Sequence, residues 1–183
     1  MDFDNFVIQL FEEAKSFFEK AKSSTEQDSK DAYLHASLLL VMSSLEACVN
    51  SIAAEILIEP YNNKYELIAQ SLLLEKEIVF ENGHYKLGNR LKMSRLIEKI
   101  EFLICKFSGK EIPSTCVWFN QLKQSIDFRN KLVHPKEYIA LTEKQVENAM
   151  VSVLETINEL YKAVYKRSFP SYSFGITSRL TIS

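Results

Sequence analysis

Apolar residues recur every three or four positions over most of this chain, a spacing typical of helices that bury one face. The first such stretch covers about residues 3–21 and is followed by polar, serine-rich residues. A second runs from about Lys30 to Glu59, where Pro60 stops it because its ring cannot continue a helix. This stretch is apolar nearly all round, so we expect it to be the central, most buried helix. Its main apolar face consists of Leu34, Leu38, Val41, Leu45, Val49, Ile52 and Ile56.

Two polar residues interrupt this second helix. Glu46 and Asn50 lie one turn apart, on the same side as His35 and Met42. Polar groups on a buried flank commonly satisfy each other or a neighbouring backbone group. The alternative is that both face a partner on the helix that carries Arg129.

The spacing of the apolar residues changes in the middle of the chain. After a short third helix at about residues 61–74, β-forming residues flank Asn82-Gly83, a dipeptide that favours a tight hairpin turn. The pattern predicts a small β-hairpin at about residues 77–87. We expect His84 to be an ordinary exposed residue near its turn.

Helical spacing returns after the hairpin. A fourth helix is predicted from about Leu91 to Phe107, ending at Ser108-Gly109 because glycine readily adopts the left-handed conformation that terminates helices. The polar side of this helix is expected to carry Lys92, Arg95, Lys99 and Lys106.

Two more helices complete the pattern. One follows Pro113, with Ser114 or Thr115 as its expected N-cap, and ends near His134, because the residue before a proline avoids helical dihedral angles. The other begins after Thr142 and runs to about Lys166. The tail, residues 167–183, lacks periodicity and is expected to be a loose extension or to pack on a neighbour.

The sum is an all-α fold, an up-and-down bundle of about five or six helices with one small β-hairpin insertion. We expect a single domain over residues 1–166 and an irregular C-terminal tail. The composition agrees, because 46% of the residues are hydrophobic, 25% are charged, and only four are Gly and four Pro.

Charge and targeting signals narrow the function classes. The net charge of −2 excludes general basicity as a source of nucleic-acid affinity. Residues 86–110 nevertheless carry seven Lys/Arg against two Glu, which fits either a solvated face or a nucleic-acid patch. The acidic N-terminus is unlike a signal peptide, and the longest run without polar residues, Leu38 to Met42, is too short to span a membrane. With three dispersed cysteines expected to be reduced core thiols, the chain is predicted to be cytoplasmic.

The sequence lacks the motifs of several common kinds of phosphate-binding and metal site. The four glycines are too scattered to build a phosphate-binding loop. Neither H-E-x-x-H nor C-x-x-C occurs, and His and Cys are not clustered at the spacing of metal ligands. We therefore expect no cofactor and no metal.

One residue breaks the apolar face of the fifth helix. With about 100° per residue, Arg129 falls in the middle of the stripe formed by Trp118, Leu122, Ile126 and Val133. Burying an unpaired arginine is costly, so Arg129 requires a partner or a cavity. Polar Asn130 and His134 lie one turn apart beside it.

The segment Arg129-Asn130-Lys131-Leu132-Val133-His134 resembles the motif of the HEPN superfamily, in which an Arg and a polar residue precede a His. The second helix, with Glu46 and Asn50, also resembles the early helix of several HEPN groups. The resemblance covers roughly residues 30–165 and implies an all-α, usually dimeric protein. Many HEPN proteins are metal-independent endoribonucleases in toxin–antitoxin, antiviral defence and RNA-processing systems.

The chemistry of such a site suits these residue types. Cleaving RNA without a metal needs a base for the ribose 2′-OH, an acid for the leaving oxygen and a cation for the phosphorane. His134 is the candidate base or acid and Arg129 the candidate cation, while Asn130 would orient the imidazole or hold the ribose. Glu46 and Asn50 are expected to support the site. The candidate RNA contacts are Lys131, Lys136, Arg95 and Lys92.

The angle between Arg129 and His134 around their helix suggests that a second subunit could complete the site. Residues five apart on a helix point about 140° away from each other, so Arg129 and His134 do not share a face. Helix termination at Pro135 can re-aim His134, and two copies meeting in a homodimer would bring both motifs to one cleft. In HEPN toxins paired with a nucleotidyltransferase antitoxin, a Tyr follows the motif's His at the second position. Here that position is Lys136, and the nearest tyrosine is Tyr138.

Three functions are therefore open at this point. The leading hypothesis is a homodimeric ribonuclease that acts on RNA, with a possible antitoxin or defence-system partner. The second is a non-catalytic HEPN-like dimerisation or RNA-binding module in which Arg129 and Glu46 form a structural pair. The third is a nucleotide-binding regulatory domain that uses the basic face at residues 86–110.

Overall fold

The computed structural model describes residues 3–57, 66–136 and 138–180. Within these ranges the chain is an all-α bundle of six helices with one two-stranded antiparallel sheet, as the sequence predicted. The elements are α1 (Phe3–Ser23), α2 (Gln27–Ile56), α3 (Leu67–Leu74), β1 (Lys76–Glu81), β2 (His84–Leu91), α4 (Leu96–Ser108), α5 (Val117–Val133) and α6 (Glu143–Tyr165).

Helix α2 is the centre of the bundle, as predicted, but it is not the most buried helix, because 12 of the 23 residues of α6 are buried against 11 of the 30 in α2. Helix α2 packs against all five other helices, and a stripe that includes Leu39, Ser43 and Asn50 remains exposed. Val41, Leu45 and Val49 have no exposed surface, and burying each such side chain contributes roughly 1.5–3 kcal/mol. Two buried hydroxyls tie α2 to α1, since Ser37 donates to the carbonyl of Ala14 at 2.8 Å and Ser44 to that of Val7 at 3.0 Å.

Length and composition alone would allow α2 to cross a membrane. It is the one helix of the described chain that passes this test, and 56% of its most apolar window is buried inside the protein. Central helices of soluble bundles pass the same test for the same reason, so the finding is weak evidence for a membrane span.

The hairpin forms around Asn82-Gly83 as predicted. Both residues have positive φ, 52° and 81°, which is the backbone of a type I′ turn. His84 is exposed beside the turn. The strands are longer than expected, because Leu91 pairs with Lys76 beyond a bulge rather than opening a helix.

Three predicted element ends need correction. Helix α4 begins at Leu96, not Leu91, because Leu91 belongs to the sheet. The N-cap of α5 is Cys116, not Ser114 or Thr115, because the Cys116 N–H closes a turn on the Pro113 carbonyl at 2.9 Å. Helix α2 begins at Gln27, three residues before its predicted start, and ends at Ile56, while α3 begins at Leu67. The predicted helical residues 58–59 and 61–65, and the predicted stop at Pro60, lie outside the described residues.

Other predicted ends are confirmed. Gly109 ends α4 with a φ of 72°, and His134 caps the C-terminus of α5. Thr142 caps α6, where its hydroxyl accepts from the Gln145 N–H in a capping box. The cysteines are free thiols, but only Cys48 is fully buried, while the other two are half-buried.

The tail packs back onto its own chain rather than extending loosely. Buried Phe169 lies edge-on to Tyr161 at 5.0 Å. Further along, the Arg179 N–H donates to Glu12 of α1 at 2.7 Å and the Ser178 N–H donates to Glu19 at 2.8 Å. Glu12 also accepts from Lys15, whose side chain is fully buried, at 2.8 Å. The tail and α1 are thus joined through two carboxylates, buried Glu12 and exposed Glu19.

The Glu12 carboxylate makes the stability of the protein depend on pH. Burial alone would raise its pKa, but hydrogen bonds from Lys15 and Arg179 outweigh burial and hold the pKa below its ordinary value of 4.5. A lowered pKa stabilises the fold above the unfolded-state pKa, and this contribution is lost as pH falls through the folded-state pKa. Glu12→Gln should lower stability at pH 7 by about 2 kcal/mol, which is roughly 4–8 °C in Tm.

Thermal unfolding of both proteins at pH 7 and at about pH 3 checks this prediction. The difference in Tm should shrink at the lower pH, because protonated Glu12 resembles glutamine. Glu13→Gln, on the same helix, is the control and should behave as wild type at both pH values. A difference that is the same at both pH values would contradict the assignment to Glu12.

Candidate functional site

Helix α5 carries the candidate motif on its last turns. Its buried face is formed by Phe119, Leu122 and Ser125, and Arg129 continues this face where the helix leaves the core. There the side chain of Arg129 is 31% exposed. The predicted position on the apolar face is therefore correct, but the guanidinium lies at the edge of the core.

Arg129 has an ion-pair partner on α2. Its Nη2 donates to the Glu46 Oε1 at 2.8 Å, and its Nη1 donates to the Asn130 Oδ1 at 3.2 Å. Of the two readings of Glu46 and Asn50, Glu46 follows the alternative, since it faces Arg129 on α5, whereas Asn50 accepts from Lys99 of α4. The guanidinium has more N–H donors than these two contacts use, and its partial exposure leaves them accessible.

Both residues line an open cleft of about 790 Å³. Its walls are α2, α4, α5 and the segment that joins β2 to α4. The polar side chains of the lining are Glu46, Asn50, Glu75, Ser94, Arg95, Glu98, Lys99, Glu101, Lys123, Asp127, Arg129 and Asn130.

The charged side chains that line the cleft pair with one another. Each of its four cations pairs with a carboxylate of the same cleft, over distances from 2.8 to 3.9 Å. Asp127 remains as the fifth acidic residue of the lining. The cleft therefore offers no strong net attraction to an anion, and an incoming phosphate must compete with these carboxylates.

A second polar cluster lies beside the Arg129–Glu46 pair, and the sequence analysis did not predict it. Lys99 was expected on the polar side of its helix, but its side chain is only 3% exposed. Its ammonium contacts the Glu75 carboxylate at 2.9 Å and donates to Asn50 Oδ1 at 3.1 Å. The available signal was the apolar residues one turn away on either side, Leu96 and Leu103.

Glu75 reaches Lys99 from a backbone conformation that is unusual for glutamate. It ends α3 in the left-handed region, with φ 53° and ψ 42°. Its carbonyl accepts from the Lys92 N–H at 2.7 Å, which fixes the start of the segment leading to α4. Two charge pairs, Glu46–Arg129 and Glu75–Lys99, thus line one cleft together with Asn50.

His134 lies at the end of α5, outside the lining of this cleft. Its N–H donates to the Asn130 carbonyl at 2.9 Å, and its backbone leaves the helical region with φ −123° and ψ 64°. Its side chain is exposed, as are those of Lys131 and Lys136. Within one subunit, the motif is therefore divided between the cleft and the helix end.

The other predicted RNA contacts lie near the opposite wall. Arg95 caps α4 and lines the cleft, with 86% of its side chain exposed. Lys92 is exposed on the segment before it. The tyrosine nearest the motif, Tyr138, donates to Asp31 of α2 at 3.1 Å, and this hydrogen bond raises the pKa of the phenol.

Over the ranges that the structure describes, no group of three or more His, Cys, Asp and Glu side chains is placed to hold a metal ion. No protein-family model, curated protein or solved structure matches this chain.

Proposed function

We propose that the protein is a metal-independent endoribonuclease of the HEPN type, cytoplasmic and acting as a homodimer in a microbial toxin or antiviral defence setting. The observation that supports this best is the Arg129 guanidinium, anchored by Glu46 at 2.8 Å yet 31% exposed in an open cleft. This exposure leaves N–H donors of the guanidinium accessible to a phosphate. The same helix ends in exposed His134, whose imidazole is the side chain of the motif suited to general acid or base catalysis.

The reaction is an attack of the ribose 2′-OH on the adjacent phosphorus. His134 takes the 2′-OH proton or gives a proton to the departing 5′-oxygen, and the second proton transfer falls to the His134 of the other copy or to water. Arg129 stabilises the charge of the phosphorane, and Asn130 holds the ribose or the imidazole. The products are a 2′,3′-cyclic phosphate end and a 5′-hydroxyl end.

The division of the motif supports a homodimer as the working unit. His134 of one subunit lies outside the cleft that contains its own Arg129. A second copy that meets the first along the ends of α5 would place a histidine near each arginine. The proposed protein partner of this arrangement is a neutralising antitoxin or another defence-system protein.

The test is cleavage of structured and unstructured RNA in excess EDTA. We expect wild-type protein to cleave, to leave cyclic phosphate ends, and to leave DNA of the same sequence intact because it lacks the 2′-OH. His134→Ala should lower the rate about 10²- to 10⁴-fold without changing Tm. His84→Ala, at an exposed histidine of the hairpin, is the matched control and should cleave as wild type.

A second candidate is a non-catalytic dimerisation or RNA-binding module. It is favoured by the cleft's paired charges and by the position of His134 outside the lining. On this reading, wild-type protein would never exceed the His134→Ala background on any RNA, and both would form the same dimer. That result would overturn the ribonuclease proposal.

A further inference from the structure

The hairpin presents a strand edge that pairs with no other strand of the described chain. Its sheet has only two strands, so each strand is paired along one edge and open along the other. Six of the eight residues of β2 are exposed, whereas four of the six in β1 are half-buried. Strand β2 therefore has the more accessible edge. Such an edge offers unpaired N–H and C=O groups to a further strand.

The strand register shows which backbone groups of β2 point outward. Glu81 and His84 flank the two-residue turn and lie opposite each other, and a turn of this kind closes with a hydrogen bond between its ends. Hydrogen-bonded and non-bonded pairs alternate along an antiparallel ladder. Tyr85 and Leu87 therefore belong to non-bonded pairs, and their N–H and C=O groups point away from β1. An added strand would pair with these two residues.

The side chains along this edge differ between the two faces of the hairpin. On one face Tyr85 lies opposite Phe80, with ring centroids 5.1 Å apart, and is 70% exposed. Leu87 follows it on the same face and is half-buried. On the other face β2 carries Lys86, and Arg90 lines the same shallow depression of about 330 Å³. A neighbouring strand would thus meet apolar groups on one face and cations on the other.

The carboxylates of the charged face lie on the other strand. Glu81 of β1 forms an ion pair with Lys86. The Glu77 side chain passes over Gly88, where a Cβ would lie 2.8 Å from the Glu77 Cγ. The face is therefore neutral as a whole, but its acidic side is β1 and its basic side is β2. A strand beside β2 meets the basic side first, and Arg90 makes no ion pair there with any described residue.

The same charges disfavour a second copy at this edge. Two copies that paired antiparallel through β2 would bring Lys86 and Arg90 of one beside those of the other, and like charges on facing strands are destabilising. Antiparallel pairing through β1 would do the same with Glu77 and Glu81. Pairing of β2 with the β1 of a next copy would not close and would lead to an open chain of molecules. An acidic strand from another protein meets none of these obstacles.

We propose that the outer edge of β2 binds an extended acidic segment of a partner protein, in which Asp or Glu alternates with apolar residues, as an added strand. The backbone of the segment pairs with Tyr85 and Leu87. Its carboxylates contact Lys86 and Arg90 on one face, and its apolar side chains pack beside the Tyr85 ring on the other. No residue of β2 lines the cleft of Arg129, so binding at this edge does not depend on cleavage of RNA.

The experiment measures binding of the full-length protein to a labelled, end-capped peptide of alternating Glu and Val, about eight residues long. This peptide should bind about 10-fold more tightly than the same peptide with Lys in place of Glu, because two cross-strand pairs change from attraction to repulsion. Lys86→Glu/Arg90→Glu should reverse the preference. Lys106→Glu/Lys110→Glu, at two exposed lysines around the end of α4, changes the net charge equally and should keep it.

Two further comparisons separate strand pairing from simple charge attraction. In a strand, the N–H groups of alternate residues point to the same edge, so N-methylation of either the Glu or the Val residues blocks one edge of the peptide. One of these two peptides should lose binding and the other should keep it. Tyr85→Thr should weaken binding about 3-fold, because it removes the ring beside the added strand. Phe174→Thr, at an exposed ring of the tail, should bind unchanged.

Several results would overturn this proposal. They are equal binding of the Glu and Lys peptides, no binding of either, and retained binding of both N-methylated peptides. A wild-type oligomer in light scattering that Tyr85→Thr dissociates would assign the edge to a second copy instead. Cleavage of RNA in EDTA is scored separately, so loss of this proposal and loss of the ribonuclease proposal are distinguishable.

Discussion

Replacing Arg129 with glutamine is expected to lower RNA cleavage about 10²- to 10³-fold, the loss typical for removal of one group that stabilises transition-state charge. The fold should survive the change. The side chains of Arg129 and Glu46 are 31% and 39% exposed, so their ion pair contributes at most about 1 kcal/mol to stability. Single-turnover cleavage and thermal unfolding of the same preparation check both halves of the prediction.

Two further variants, Glu46→Gln and Arg167→Gln, test whether a loss of cleavage is due to Arg129 itself, to its anchoring by Glu46, or to the removal of any exposed arginine. Glutamine at position 46 can still accept one hydrogen bond from Arg129, so it should reduce cleavage less than Arg129→Gln does. Arg167 is an exposed arginine after α6, and its replacement should leave cleavage unchanged. A large fall in Tm for Arg129→Gln, with cleavage per folded molecule preserved, would make the Arg129–Glu46 pair structural.

Replacing Lys99 with methionine should destabilise the protein by about 3 kcal/mol, or roughly 6–12 °C in Tm. Methionine fills a similar volume but removes the charge that faces Glu75 and the donor to Asn50. The Glu75 carboxylate then loses its partner while only 26% of its side chain is exposed. The size of the effect follows from this uncompensated carboxylate, because removing one member of a buried pair leaves the other desolvated.

Lys106→Met in the same helix is the matched control for this change. Lys106 is exposed near the end of α4, so its replacement should alter stability by less than about 0.5 kcal/mol. Denaturant unfolding of the two variants beside wild type gives the comparison. Equal stability of Lys99→Met and Lys106→Met would show that the buried ammonium is not held as the structure describes.

Features set by neighbouring residues could be predicted from the sequence. The Asn82-Gly83 turn, the Thr142 cap and the end of α5 before Pro135 each depend on a few adjacent side chains. The pairing of Arg129 with Glu46 was only one of two alternatives in the sequence, because a charge on an apolar stripe demands a partner and either Glu46 of the central helix or a bound phosphate could supply it.

Features set by distant partners could not be predicted. The burial of Lys99 depends on Glu75, and it reaches Glu75 because that residue adopts a left-handed conformation that glutamate rarely takes. Leu91 joined the sheet rather than a helix because Lys76 lay opposite it. The proposed meeting of His134 with a second copy would depend on an interface that one chain's pattern does not specify.

The bond between Glu12 and Arg179 has a consequence for how the protein is made. These residues are 167 positions apart, so α1 leaves the ribosome long before its second cationic partner exists. At about 5–20 residues per second, the interval is roughly 8–33 s. During that time Glu12 has only Lys15 to neutralise it, and the first helix of the nascent chain lacks the segment that will later cover it.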